Sequence, residues 1–120
     1  MSCNLKQQHF SPNAADETWG GITFSITSSD DTKYADTLAR VRMTWKDSTG
    51  VVAQTLDSDV SGEITINSAV AYAWGFTVPD RILSLAAGYY SYAVEVTDSG
   101  GVMDKDYIAG THQITADPHA

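Results

Sequence analysis

Leu85-Ala86-Ala87-Gly88-Tyr89-Tyr90-Ser91-Tyr92-Ala93-Val94-Glu95-Val96-Thr97 is the stretch that decides the fold class. A turn at Asp98-Ser99-Gly100-Gly101 follows it. A second run, Val102 to Ala109, then passes Gly110 into Thr111-His112-Gln113-Ile114-Thr115. On an extended chain Tyr90, Tyr92, Val94 and Val96 share one side, and Tyr89, Ser91, Ala93 and Glu95 share the other. Such alternation describes a half-buried antiparallel strand entering a hairpin, and a helix would not produce it.

The same period recurs upstream. Trp19 to Thr27 places Ile22, Phe24 and Ile26 inward and Thr23, Ser25 and Thr27 outward, with Gly20-Gly21 marking a bulge or a bend where backbone approaches backbone. Leu38 to Lys46 aligns Ala39, Val41, Met43 and Trp45 against Arg40, Arg42, Thr44 and Lys46. Asp47-Ser48-Thr49-Gly50 reads as a hairpin turn returning along Val51 to Leu56. A short strand over Glu63 to Asn67 precedes Ala71 to Val78, where Tyr72, Trp74, Phe76 and Val78 align. Arg81 to Leu85 has the length of one helical turn ended by Gly88. Short strands with turn signals at this spacing predict an all-β, immunoglobulin-like antiparallel β-sandwich of about seven or eight strands with one helical turn. Residues 1–17 form a polar arm or edge strand, residues 18–116 the sandwich, and residues 117–120 a short tail.

A chain of 120 residues is one domain's length, and 42% hydrophobic content is ordinary for a globular protein. The single cysteine, Cys3, has no internal partner. No apolar stretch approaches the roughly 20 residues that span a bilayer. The opening Met1-Ser2-Cys3-Asn4-Leu5-Lys6 has no apolar leader, which predicts synthesis and folding in a reducing compartment. Net charge is −8. Most aspartates fall in predicted turns, where they bond their own backbone. A negative field argues against nucleic acid, whose binding needs clustered Lys and Arg.

Candidate chemistry is sparse. His9, His112 and His119 have no paired metal spacing and read as surface or interface residues. Asp57-Ser58-Asp59-Val60-Ser61-Gly62-Glu63 imitates the opening of a calcium loop, but its twelfth position is Ser68 where a bidentate Glu is needed, so a hairpin turn is favoured. No nucleophile elbow or phosphate loop occurs. Asp104 and Asp106 read as an exposed strand edge. Neither a catalytic site, a metal nor a cofactor is expected. Candidate partner-binding residues are Phe10 in the arm and the basic column Arg40, Arg42 and Lys46. That column either pairs with an outward carboxylate such as Glu95 or docks an acidic neighbouring protein. The tryptophans and tyrosines are mostly core by periodicity, though some aromatics at the sandwich ends could stack on a sugar or anchor a subunit.

The order of the segments resembles small β-sandwich domains of phage and prophage virions, in particular the N-terminal domain of phage baseplate upper proteins and its stand-alone relatives. The likeness runs through Thr18-Trp19 to Thr27, Ala39-Arg40-Val41-Arg42-Met43, Gly50 to Leu56 and Gly62-Glu63-Ile64-Thr65-Ile66. It then covers the boxes Leu85-Ala86-Ala87-Gly88-Tyr89-Tyr90-Ser91-Tyr92, Asp98 to Gly101 and Tyr107-Ile108-Ala109-Gly110-Thr111-His112-Gln113-Ile114-Thr115. Ala93 stands where that family usually has Asp, and Tyr34-Ala35-Asp36-Thr37-Leu38-Ala39 replaces its usual Asp-Leu-Thr-Gly-Ala. The resemblance implies a non-enzymatic virion structural protein, made in the bacterial host cytoplasm. It would be an accessory or adaptor subunit docking on larger proteins of the tail, neck or baseplate in a symmetric multi-copy assembly. A capsid decoration protein is the alternative within that class. A carbohydrate-binding adhesion module for host glycans is the alternative from another, and Trp19 and Trp74 would be its test residues. Neither nucleic acid nor membrane is expected as a partner.

Overall fold

Alternation of large apolar and small polar side chains leaves one economical arrangement, two sheets with their apolar faces together, and the computed structural model has it. The structure describes residues 6–7, 10, 12–15, 17–28 and 31–116. Cys3, His9, His119, the side chain of Asp106 and the tail 117–120 therefore lie outside the described residues.

In chain order the strands are β1 (Lys6–Gln7), β2 (Asn13–Ala14), β3 (Thr18–Trp19), β4 (Ile22–Thr27), β5 (Leu38–Lys46) and β6 (Val52–Asp57). They continue with β7 (Thr65–Val70), β8 (Ala73–Val78), β9 (Arg81–Ile82), β10 (Gly88–Asp98) and β11 (Met103–Thr115). The large sheet runs β1-β11-β10-β5-β6, with β2 also pairing β11, and the small sheet runs β4-β8-β7. Between them lie Val41, Met43, Trp45, Phe76, Val78 and Val94, all essentially without exposure, with Trp19, Trp74, Tyr92 and Tyr107 around them. The fold is thus an all-β sandwich, with seven strands of six residues or more among the described residues.

The opening stretch folds as its alternation requires. Tyr90, Tyr92, Val94 and Val96 are buried, and β10 pairs β11 on one side and β5 on the other. The hairpin closes where Asp98 Oδ1 accepts the backbone N–H groups of Gly100 and Val102, both at 2.9 Å, and Gly101 takes a φ of 85° that suits glycine.

Of the two expectations at Gly20-Gly21, a bulge or a bend, the pairing shows the bend. Ile22 opposes Val78, and beyond the glycines Trp19 opposes Arg81 with no slip in register. β3 and β9 are therefore the continuation of the β4–β8 ladder past a break at Gly20-Gly21 and Pro79-Asp80. Gly21 has a φ of 75°, and a Cβ there would stand 2.2 Å from the Val78 carbonyl oxygen.

Three local expectations are corrected. Arg81 to Leu85 is not a helical turn: after β9, Leu83 and Leu85 are buried while Ser84 and Ala86 are exposed, a period of two. The Ser84 N–H is held by Gln54 Oε1 at 3.0 Å. The helical turn is instead a 3-10 turn at Thr32–Tyr34, capped by Asp31 Oδ1 accepting the Lys33 N–H. Ala39 is exposed and Leu38 takes its place inside, because the β5–β10 register shifts between Thr97 and Asp98. Tyr72 does not align with Trp74. It sits in the β7–β8 turn at a φ of 64°, rare for a non-glycine residue, and is tied down by the bonds Tyr72 N–H to Tyr34 O and Ser28 N–H to Tyr72 O.

The described part of the N-terminal segment is an edge strand. Lys6 and Gln7 lie parallel to Ile108 and Ala109, and Asn13 and Ala14 parallel to Ile114 and Thr115. The Phe10 N–H reaches the Thr111 carbonyl between these two pairings. One edge of the large sheet is thereby covered by the chain's own start.

Candidate functional site

Because β10 and β11 alternate, the residues between their buried positions stand on the outer face of the large sheet. There Tyr89 opposes Gln113, Ser91 opposes Thr111 and Lys46, and Ala93 opposes Ala109 and Thr44. A cavity of about 530 Å³ opens at the Tyr89 end, lined among others by Phe10, Asp47, Tyr89, Ser91 and Gln113. A second hollow of about 260 Å³ continues along the face over Ser91, Ala93, Ala109 and Gly110, beside Thr44 and Lys46. Small side chains in the middle rows make this trough. Tyr89, 71% exposed, stands at its end.

Asp47 on the cavity wall is shaped by its own turn. Its Oδ1 accepts from the backbone N–H of Thr49 at 2.9 Å, that of Val51 at 3.1 Å and the Thr49 hydroxyl at 2.6 Å. These donors, the hydroxyl foremost, hold the carboxyl below its usual range, so it stays ionised.

Phe10 is not a free docking residue. Its ring stacks on Tyr92 at 4.4 Å and meets Trp19 at 5.2 Å and His112 at 5.1 Å edge-on. Nor is the basic column a free positive stripe. Arg40 Nε donates to Asp57 Oδ1 at 3.0 Å, a second Arg40 nitrogen bonds Asp57 Oδ2, and Asp59 Oδ2 lies 3.3 Å from Nε. Arg42 Nε stands 3.8 Å from Asp57 Oδ2, with Glu95 opposite Arg42 on β10. The principal partner is therefore Asp57 on β6 rather than Glu95. The Arg40 hydrogen bond also holds the Asp57 carboxyl below its usual range. Lys46 is exposed beside the trough.

The Asp57 to Glu63 segment is the expected turn and not a calcium loop. Besides Arg40, Asp57 Oδ1 takes the Asp59 N–H, Glu63 Oε1 takes the Asp57 N–H, and an Arg81 nitrogen donates to the Gly62 carbonyl. A cation would have to displace a guanidinium. Among the described residues no three His, Cys, Asp or Glu side chains gather as a metal site, and no helix is long and apolar enough to cross a membrane.

His112 overturns its expectation as a surface or interface residue, since only 1% of it is exposed. The Trp45 indole N–H donates to His112 Nδ1 at 3.2 Å, so the ring's own proton sits on Nε2 and is donated to Asn13 Oδ1. A second proton on Nδ1 would face the Trp45 N–H. Burial pushes the His112 pKa below its ordinary value. The unfolded chain then binds the proton more readily than the folded one. The stability from this site is complete above about pH 6.5, the unfolded value, and is lost as pH falls below it. Melting curves at pH 7.5 and 5.0 should show a larger acid loss for the native chain than for His112→Gln, which has no titrating ring; equal losses would remove His112 from the acid response.

At the far end of the sandwich the Tyr34 and Tyr107 hydroxyls bond each other at 2.5 Å, and burial drives Tyr107 far above a normal phenol. Lys33 lies 4.9 Å over the Tyr107 ring and bonds Asp104. This cluster is packing with its polar atoms satisfied.

Sequence reasoning missed the trough, although its signal was present. Tyr89, Ser91 and Ala93 were legible on the outward side. Their convergence with Asp47 and Gln113 depends on strand register, which alternation alone does not supply. Trp19 and Trp74, chosen as glycan-contact candidates, are 5% and 3% exposed and belong to the core.

Comparison with models of protein families finds no match to this chain. Comparison with curated proteins finds none either. The class defined so far is that of an all-β sandwich with an outward trough.

Proposed function

We propose that the protein is a non-enzymatic structural subunit of a phage virion, an adaptor or accessory piece docking on the tail, neck or baseplate. The order of the sequence boxes supports the virion setting, and one structural observation carries the docking role. The large sheet is closed on its β11 edge by the chain's own first residues and ends on the other side at β6. From Val51 to Leu56 that edge has neither a charge nor a proline, and Val51 and Val52 are 60% and 54% exposed. Monomeric proteins usually blunt such an edge with lysine, proline or a bulge, because its unpaired backbone groups template another strand; here β6 slips by one residue against β5 at Ala53, and Gln54 to Asp57 stay in regular register. An edge left open in a rigid sandwich fits strand addition by a larger protein, and symmetry multiplies that modest contact into firm attachment.

The double substitution Val51→Lys with Val52→Glu tests this. The new carboxylate faces Lys46 across the ladder, so stability should change by no more than about 0.5 kcal/mol. Incorporation into particles, measured by complementation and mass spectrometry of purified virions, should be lost. Undiminished incorporation would remove the β6 edge from the attachment. Copy number in the same particles separates a tail, neck or baseplate adaptor from the capsid decoration reading, which requires many more copies.

A further inference from the structure

We infer that the trough on the outer face of the large sheet is a binding site for a neutral oligosaccharide, with Tyr89 as its stacking platform. This site is separate from the β6 edge, and its occupant is identified by four features of the surface.

First, an aromatic side chain that is 71% exposed at the mouth of a cavity of about 530 Å³ gives a flat apolar face next to water. A pyranose ring presents a matching face of C–H groups on one side and hydroxyls at its rim. Second, the groups around Tyr89 are those that bond hydroxyls: the Gln113 amide directly across the ladder, the hydroxyls of Ser91 and Ser48, and the Asp47 carboxylate. Among the described residues the side chains of Tyr89, Ser91 and Gln113 make no hydrogen bond within the chain. Asp47 holds one oxygen in its turn, so its position is fixed before any ligand arrives.

Third, charge sorts the ligands. Asp47 is ionised, no Lys or Arg is among the described residues that line the cavity at Tyr89, Lys46 lines the second hollow, and the chain carries −8 overall. A sialylated, uronic or phosphorylated unit seated at Tyr89 would face the Asp47 carboxylate, and a neutral one meets no such repulsion. Fourth, the hollow does not end at Tyr89. It continues over Ser91, Ala93, Ala109 and Gly110, where side chains are too small to fill it, giving room for further sugar units in line. A peptide fits this face poorly. The backbone donors and acceptors of β5, β10 and β11 are engaged in the ladders on both sides of β10, so an added strand would find no backbone partners.

The test uses the whole chain, isotope-labelled, titrated with neutral trisaccharides (maltotriose, cellotriose, chitotriose and a galactose-based one) and with sialyllactose as the anionic control. Binding of at least one neutral sugar should shift the amide signals of Tyr89, Ser91 and Gln113 together. Tyr89→Ala should weaken that binding roughly tenfold, and Tyr89→Trp should restore it. Both variants change an exposed side chain and should keep the native melting temperature. No shift at these residues with any neutral sugar into the millimolar range overturns the proposal. So does binding indifferent to Tyr89→Ala, a preference for sialyllactose, or shifts induced only by a virion protein. The side chains of Val51 and Val52 take no part, and the Val51 backbone N–H that holds Asp47 survives a side-chain substitution, so failure here leaves strand docking at β6 standing, and failure there leaves this site standing.

Discussion

Phe10→Ala is expected to lower the melting temperature by about 10 °C. The ring is half-buried, so the substitution removes less than the 3–5 kcal/mol typical of a fully buried Phe, about 2–3 kcal/mol. At about 4 °C per kcal/mol for a domain of this size, that is the shift quoted. The loss is concentrated because Phe10 closes an aromatic cluster. It stacks on Tyr92 and abuts Trp19, which in turn meets Trp45 at 5.4 Å. Differential scanning calorimetry of the purified variant reads the effect directly.

Deleting residues 1–15 goes further and changes the kind of result. Along with Phe10 it removes Ala14, Asn13's bond to His112 and the backbone bonds along β11. The ordering entropy of the lost segment offsets part of this. The uncovered β11 edge has no such compensation, and it is 13 residues long. The truncated chain should melt at least as early as Phe10→Ala and should associate as concentration rises, visible by analytical ultracentrifugation. An arm that ordered only within an assembled particle would leave both readouts unchanged. The described contacts of Phe10, Asn13 and Ala14 predict otherwise, so loss of incorporation in such a deletion would report unfolding before it reported docking.

How much of this was legible in the sequence follows from the range of each signal. Alternation is local and written into every strand, which is why Val41, Met43, Trp45, Tyr92 and Val94 were correctly placed inside. Turn chemistry is local too, and Asp47-Gly50 and Asp98-Gly101 fold as read. Failures occur where register decides. The slip opposite Thr97 and Asp98 leaves Ala39 as the extra residue on β5 and turns Leu38 inward, and nothing in the residues around Ala39 announces a bulge that is set by pairing with a strand 58 positions away. Leu83 and Leu85 were misread because five residues cannot distinguish a period of two from one helical turn. His112 was misplaced because its partners, Trp45 and Asn13, are 67 and 99 positions distant. The trough has the same origin: each residue's side of the strand was readable, but which residues become neighbours was not.

Gly21→Ala should be the most damaging single methyl group on the surface layer, costing about 3–5 kcal/mol and some 15 °C in melting temperature. Two effects combine. A φ of 75° costs an L-residue about 1–2 kcal/mol by itself. The added Cβ would then lie 2.2 Å from the Val78 oxygen and 2.9 Å from the Pro79 carbonyl carbon, and backbone on an adjoining strand cannot swing aside as a side chain can. Relief requires parting β4 from β8 at the point where the ladder bends. That bend aims Trp19 at Trp45 and Phe10, so strain there propagates into the core. Gly20→Ala is the internal control. Nothing lies within 4 Å of its added carbon and its φ is not positive, so it should be neutral or gain up to about 1 kcal/mol from the unfolded state. Thermal unfolding of the two variants side by side separates the explanations. Equal losses would mean that both glycines serve general flexibility, whereas a loss confined to Gly21 locates the requirement in one contact between Gly21 and the Val78 carbonyl.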